Sequence, residues 1–182
     1  MIEIDDAGGG CFIGPEILVI HRLETGNVWY LDIPPQVEER VKYASKILKA
    51  AFRELAVSKD EPVRLCRGEI FDLFQEYLST KGYQVVREKV SDATDKLAEA
   101  RFMDILYSYG FPRNLVLKDR NYQQFYQWVS CWYYYCKDDA HARHHLHGIR
   151  KTRLQPSFFG RKIARKYPNL VRMLLEEEEA IS

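Results

Sequence analysis

The sequence predicts an α/β protein with a mixed five-stranded sheet, in the order β-β-β-α-β-α-β-α, followed by a helical C-terminal appendage. The first observation behind this prediction is a hairpin signal, because Gly26-Asn27 separates two runs of β-forming residues, 16–23 and 28–33. The second is the alternation of strand-like runs with helical periodicity from residue 37 to residue 109. Successive strand–helix–strand steps require right-handed crossovers, which make half of the sheet parallel.

The remaining elements follow in chain order. Ile2 and Ile4 lie on one face of a first strand, which forms an antiparallel meander with the hairpin. Apolar residues at helical spacing indicate amphipathic helices, and Ser91 or Asp92 can cap the third of them. The predicted elements after the hairpin are helix 37–55, strand 62–66, helix 70–78, strand 83–90 and helix 91–109.

Composition is that of a globular protein. The 182 residues suggest one domain, or one domain with an appendage, and 46% of them are hydrophobic, which is enough for a core. No apolar run approaches the roughly 20 residues of a membrane span, and the N-terminus has no signal-peptide pattern. The four cysteines show no CxxC spacing and are interpreted as reduced. We therefore expect a cytoplasmic protein without a membrane partner, either monomeric or a homodimer.

The net charge of +1 hides an asymmetry between two predicted domains. Residues 1–109 contain 14 Lys/Arg and 19 Asp/Glu, whereas residues 110–175 contain 13 Lys/Arg and 3 Asp/Glu. A carboxylate-rich domain, 1–109, beside a basic helical extension, 110–182, suits a polyanionic partner such as nucleic acid. The alternative is that the two halves pair their charges with each other.

The first fifteen residues carry the most specific pattern. Asp5 and Asp6 come at the end of the first strand, and three glycines follow, Gly8, Gly9 and Gly10. Carboxylates between apolar residues are costly to bury unless they are paired or bind metal. The functional interpretation is a carboxylate metal site, with glycines that let a nucleic-acid substrate approach the backbone. The alternative is a strand end at the surface, followed by a glycine turn.

A family resemblance begins at this point. The stretch Ile4-Asp-Asp-Ala-Gly-Gly-Gly-Cys-Phe-Ile-Gly-Pro15 resembles the first strand of ribonuclease HII, which has Asp-Glu-Ala-Gly-Arg-Gly and a later Gly-Pro. Ser91-Asp-Ala-Thr-Asp-Lys-Leu-Ala98 is similar to a helix start in RuvC-type junction resolvases, and Glu69 lies where those enzymes place a glutamate. The element order is that of the ribonuclease H-like superfamily. Over residues 1–109, the resemblance implies that fold and metal-dependent hydrolysis of phosphodiester bonds.

The sequence also departs from these relatives. Asp6 stands where ribonuclease HII has a glutamate, and Gly9 stands where it has an arginine that helps to recognise the RNA–DNA junction. The fourth strand lacks the Asp-Gly of that family. The resemblance therefore implies the superfamily, and it leaves open whether the substrate is an RNA–DNA hybrid or branched DNA.

Four carboxylates are the predicted catalytic residues. A site for two Mg²⁺ or Mn²⁺ ions needs several carboxylates from different elements. Asp5 on the first strand, Glu69 after the fourth, and Asp92 and Asp95 at the start of the third helix are expected to converge, with Asp6 as a further metal ligand if the glycines break the strand. The alternatives are a helix cap for Asp92, a solvated acid for Asp95 and a helix-start charge for Glu69.

The C-terminal extension is expected to hold nucleic acid. An aromatic helix at 122–136 favours packing over base stacking. Histidines 141–147 have spacings that suit a transition metal, although a polar face near phosphate is favoured. The basic clusters would contact phosphates without reading sequence. The predicted contacts in the extension are Arg143, His144, Arg150, Lys151, Arg153, Arg161, Lys162, Arg165 and Lys166.

The sequence therefore predicts a divalent-metal-dependent nuclease. One alternative is a nucleic-acid-binding protein that keeps the ribonuclease H-like fold without catalysis. Another is a phosphotransferase of the actin-like ATPase group, for which 182 residues are too few to form both of the domains that enclose ATP.

Overall fold

The computed structural model describes residues 1–115, 122–154 and 167–175. It is an α/β structure with a five-stranded mixed sheet, and its elements occur in the predicted order. The strands are β1 (Ile2–Ala7), β2 (Glu16–Arg22), β3 (Asn27–Ile33), β4 (Val63–Leu65) and β5 (Val85–Arg87). The helices are α1 (Arg40–Glu54), α2 (Asp72–Thr80), α3 (Asp92–Ser108), α4 (Tyr122–Asp138), α5 (Lys151–Leu154) and α6 (Pro168–Leu175), with 3₁₀ turns at Glu69–Phe71 and Arg143–Gly148.

The sheet has the spatial order β3-β2-β1-β4-β5, so β1 is its central strand. The three N-terminal strands pair antiparallel, as the hairpin signal predicts, while β4 pairs parallel with both β1 and β5. The predicted strand at 83–90 is shorter than expected, since β5 has only the three residues of β4 to pair with.

The chain divides into two compact units. The first comprises Met1–Gly9 and Pro15–Phe102, and the second comprises Gly10–Gly14 and Met103–Ser182. In the first unit, α1 and α2 pack on one face of the sheet, where Ile2 and Ile4 join a core of buried residues from both helices. The alternation of side chains along β1 directs Glu3 and Asp5 to the opposite face.

The second unit has an aromatic core. Phe125, Tyr126, Trp132 and Tyr133 of α4 are all buried, so the predicted packing role of this helix is confirmed. A bridge between Ile13 and Ile149 joins the short segment 10–14 to the chain after the second 3₁₀ turn. All four cysteines are free thiols. Within the described ranges, no helix combines the length and apolar character needed to cross a lipid bilayer.

Candidate metal centre

Asp5 lies on the central strand, close to the point where the neighbouring parallel strand ends. Its side chain is buried, with 3% of the residue exposed. Ile4 of β1 aligns with Leu65, the last residue of β4, and the Cys66 backbone N–H donates to the Ile4 carbonyl at 2.9 Å. This register brings the Cys66 side chain beside Asp5, and the two side chains are hydrogen-bonded.

The environment of Asp5 disfavours its charged form. Burial raises the pKa of this carboxyl above its ordinary value; hydrogen bonds with the Cys66 thiol and the Asp6 backbone oppose the shift, and the neighbouring Asp95 carboxyl adds to it. Burial also raises the pKa of the Cys66 thiol to about 12, with the adjacent Asp5 contributing in the same direction. Cys66 is therefore a protonated hydrogen-bond donor to Asp5 at neutral pH.

Asp6 approaches the same point from the other face of the sheet. Strand β1 remains paired with β2 through Ala7, so the glycines do not break the strand at Asp6, which was the condition set for Asp6 to act as a metal ligand. Nevertheless, ligand atoms of Asp5, Asp6 and Cys66 all lie within 4.8 Å of one another. Strand β4 ends at Leu65, and the Asp6 carboxylate lies beside the chain that follows it, since a β-carbon at Gly68 would be 2.8 Å from an Asp6 oxygen.

The two predicted acids of α3 have different surroundings. Asp95 lies in the first turn of the helix, within hydrogen-bonding reach of the Asp5 carboxyl. Asp92 is 77% exposed, and its carboxylate is 2.9 Å from the Lys89 ammonium. The hydrogen bond from Lys89 holds the pKa of Asp92 below its usual value. Asp95 therefore joins Asp5, whereas Asp92 is held by a surface lysine.

Glu69 is held by an arginine. Its carboxylate lies 2.5 Å from Arg40, which also contacts the buried carboxylate of Glu16 at 3.1 Å. A β-carbon at Gly9 would lie 2.6 Å from Glu16 and 3.2 Å from an Asp6 oxygen, so Glu16 and Asp6 approach the same backbone position. Arg40 thus supplies the positive charge at the Glu16 and Glu69 carboxylates.

Glu3 connects β1 to the start of α3. Although it is fully buried, its carboxylate accepts hydrogen bonds from the Ser91 hydroxyl at 2.5 Å, the Thr94 hydroxyl at 2.6 Å and Arg64 at 2.7 Å. The Ser91 hydroxyl also accepts the Thr94 backbone N–H, which is the predicted N-cap contact. Because Glu3 and Asp5 are two residues apart on one strand face, this network fixes the helix turn that carries Asp95.

Sequence reasoning missed Glu3, Cys66 and the Glu16–Arg40 pair. Glu3 had a signal in its alternation with Asp5, since residues two apart on a strand share a face. Cys66 also had a signal in the sequence, because it ends the run that is predicted to form a strand parallel to the first one. The Glu16–Arg40 pair gave no local signal, since it joins a strand to a helix 24 residues later.

The three glycines at 8–10 are explained by backbone conformation and packing more than by access for a ligand. Gly8 has a φ of +75°, and a β-carbon there would lie 2.4 Å from the Phe102 ring. The space that was expected to admit substrate at Gly8 is therefore filled by an aromatic side chain. Gly9 borders two carboxylates, as described above, and Gly10 is exposed in a turn.

The predicted phosphate contacts fall into three groups. Arg143, His144 and Lys151 are exposed, whereas Arg150 and Arg153 are each only 3% exposed. The side chain and backbone N–H of Arg150 bond to the carbonyls of Gly14 and Phe12. The prediction for these two arginines is corrected accordingly, because a side chain buried to this extent does not reach the phosphate of a bound strand. The predicted contacts at 161, 162, 165 and 166 lie outside the described residues.

Histidines 141, 144, 145 and 147, which all lie in the described part of the chain, form no group of three ligand atoms close enough to share an ion. His144 and His145 pack with ring centroids 3.9 Å apart, and burial, with a contribution from His144, lowers the pKa of His145. In residues 1–115, 122–154 and 167–175, Asp5, Asp6 and Cys66 form the one group of three or more His, Cys, Asp or Glu side chains close enough to share an ion.

No model of a protein family matches the chain, and a search of curated proteins likewise returned no match.

Proposed function

We propose that this protein is a divalent-metal-dependent nuclease of ribonuclease H-like fold, which hydrolyses phosphodiester bonds in a structured nucleic acid. One observation carries the proposal. Asp5, on the central strand of a sheet with the order β3-β2-β1-β4-β5, contacts Asp95 in the first turn of α3. These are the two positions at which the sequence resembles ribonuclease HII and the RuvC-type resolvases.

The residues present fit a hard divalent cation. Asp5 and Asp6 offer carboxylate oxygens within 4.8 Å of one another, and Asp95 adds a carboxylate beside Asp5. Carboxylate oxygens are the ligands that Mg²⁺ and Mn²⁺ prefer. A cation would also relieve the repulsion between Asp5 and Asp95 that contributes to the raised pKa of Asp5. The Cys66 thiol is a soft donor and is protonated, so its role here is a hydrogen bond that orients Asp5.

The described carboxylates favour one ion more than two. When bound, a divalent cation lowers the pKa of water and stabilises the charge that develops on a phosphate under attack. The protein holds Asp5 on a rigid strand, and the hydrogen bonds of Glu3 fix the helix turn of Asp95. A second cation near Glu69 would compete with Arg40, which already contacts that carboxylate.

A second candidate function is nucleic-acid binding without catalysis. It is favoured by the engagement of two predicted catalytic acids, Asp92 and Glu69, with Lys89 and Arg40. Cleavage of RNA–DNA hybrid, branched DNA and single-stranded substrates in Mg²⁺ or Mn²⁺ tests the two functions. The nuclease requires metal-dependent products that disappear in Asp5→Asn. Binding of these substrates without cleavage in either metal would favour the second function.

A further inference from the structure

A groove between α1 and α2 carries a row of cations that the candidate metal centre does not use. Its cavity volume is about 580 Å³. The side formed by α1 is basic, and its cationic residues are Lys42, Lys46, Lys49 and Arg53. Their spacing of four, three and four residues places them along one face of the helix. The acidic residue of this lining is Glu76 of α2.

The groove also contains a buried polar group. Ser45 lines it between the cations and is only 3% exposed. The Ser45 hydroxyl has no hydrogen-bond partner in the described parts of the chain. A serine inside a helix can bond back to the carbonyl four residues earlier, and a buried hydroxyl without any partner is unfavourable. Because the hydroxyl is itself buried, Ser45 is a packing position beneath the groove, and contact with a ligand falls to the cations around it.

One wall of the groove fixes the position of a cation. The Lys49 ammonium lies 4.7 Å from the centroid of the Tyr77 ring, which is a cation–π geometry. Leu73, also on α2, is 38% exposed and adds apolar surface beside the ring. Lys46, by contrast, is exposed in the middle of the row. The groove thus combines one positioned ammonium, that of Lys49, with one solvated ammonium, that of Lys46.

We propose that this groove binds the sugar–phosphate backbone of nucleic acid. Lys42 is paired with the exposed Glu39, and from Lys46 to Arg53 α1 rises by about 10 Å. The phosphates of one duplex strand recur about every 3.4 Å along the axis, so the row spans several of them, whereas a single phosphate would engage only part of it. This row of cations also contrasts in charge with the rest of residues 1–109, which contain five more acidic than basic residues (19 − 14). The inference rests on the proposed function for the class of partner but needs no metal chemistry.

Fluorescence anisotropy of a labelled duplex, measured in EDTA over a range of salt concentrations, tests the groove. The variants are Lys46→Glu and Lys49→Glu, and the matched control is Lys59→Glu, an exposed lysine outside the groove. Thermal unfolding verifies that each variant is folded, and Lys46→Gln provides a milder change. We expect each groove variant to weaken binding on the order of fivefold and to lower the slope of log K against log salt by about 0.9.

Three results would overturn the proposal. The first is binding by the groove variants that equals binding by Lys59→Glu. The second concerns competition with the labelled duplex. Inorganic phosphate or a mononucleotide would displace it as effectively as unlabelled duplex does at the same phosphate concentration. The third is equally effective displacement by polyglutamate, which would indicate an acidic protein partner. Failure of the proposed nuclease is distinguishable, because it would leave groove-dependent binding intact in a protein that never cleaves.

Discussion

The carboxylate of Glu3, on the central strand, accepts a 2.6 Å hydrogen bond from the Thr94 hydroxyl in the first turn of α3. Neither group is exposed to solvent. The bond joins the strand of Asp5 to the helix turn of Asp95. The geometry of the candidate metal centre therefore depends on a buried carboxylate that is not itself part of the centre.

Glu3→Gln is expected to destabilise the protein by about 2–3 kcal/mol, because the amide cannot accept all the hydrogen bonds that reach the carboxylate. Burial alone would raise the pKa of Glu3, but hydrogen bonds from Ser91, Thr94 and Arg64 outweigh it, and the pKa lies below 4.5. This stabilisation is present above pH 4.5 and is lost as the pH falls through the lower, folded-state value.

Urea unfolding across this pH range measures the effect. The wild-type free energy of unfolding should fall more steeply with acid than that of Glu3→Gln. The control is Glu88→Gln, since Glu88 is 58% exposed and lies 3.7 Å from the same arginine, Arg64. The free energy of unfolding of Glu88→Gln should stay within about 0.5 kcal/mol of the wild-type value. Equal losses in both variants would show that the buried network has no special role.

Gly8→Ala is expected to cost about 2–4 kcal/mol. The alanine would have to adopt a φ of +75° and would place its β-carbon 2.4 Å from the buried Phe102 ring. Gly9→Ala should cost less, because the nearest atom is the far end of the Glu16 side chain. Thermal unfolding of the two variants checks this order, and a larger loss for Gly9→Ala would contradict the packing described for the stretch.

Ser45→Ala is expected to stabilise the protein by about 1 kcal/mol. The substitution removes a buried hydroxyl for which the described residues provide no partner, and alanine is the better helix former. Chemical denaturation measures the change, with the exposed Ser79→Ala in α2 as the control for helix propensity. If the gain does not exceed that of Ser79→Ala, the Ser45 hydroxyl is satisfied in solution.

Cys66 is expected to resist alkylation at neutral pH in metal-free buffer. Burial and the Asp5 carboxylate raise the pKa of its thiol to about 12, so almost none of it is thiolate. Mass spectrometry after iodoacetamide treatment should show modification of the exposed Cys131 well before that of Cys66. Asp5→Asn should accelerate modification of Cys66 severalfold. Unchanged reactivity in that variant would argue against the hydrogen bond between the two side chains.

The order of strands and helices was predictable because it depends on local patterns, such as the hairpin at Gly26-Asn27 and the apolar spacing of α1. Asp5 and Asp95 were identifiable on their elements, and the resemblance supplied the expectation that they meet. Asp92 was not distinguishable from Asp95 by spacing. Its partner, Lys89, comes only three residues earlier, so this pairing is a local contact that the sequence could have suggested.

Other contacts join residues that are distant in the sequence. In the sequence, Arg150 and Arg153 belong to a run of basic residues that is typical of an exposed surface. The bridge between Ile13 and Ile149 brings this part of the chain against the segment 10–14, and both arginines are buried. The pairing of Glu69 with Arg40 likewise joins residues 29 positions apart. Contacts across such separations result from packing, and residue type alone does not specify them.

The proposed metal centre depends most on Asp5 as a ligand of a divalent cation. Without metal, Asp5→Asn should slightly raise the unfolding temperature, because burial raises the pKa of Asp5 and its ionised form is unfavourable at neutral pH. With a bound cation the wild type should unfold at the higher temperature, because the cation stabilises a folded protein that keeps Asp5 and does not stabilise Asp5→Asn.

The most direct measurement is the unfolding temperature of wild type, Asp5→Asn and Asp92→Asn as a function of Mn²⁺ concentration. Asp92 provides the control because its carboxylate is exposed and paired with Lys89. We predict that Mn²⁺ raises the unfolding temperature of wild type and Asp92→Asn and leaves Asp5→Asn unchanged. An equal rise in Asp5→Asn, or no rise in the wild type, would contradict the metal centre.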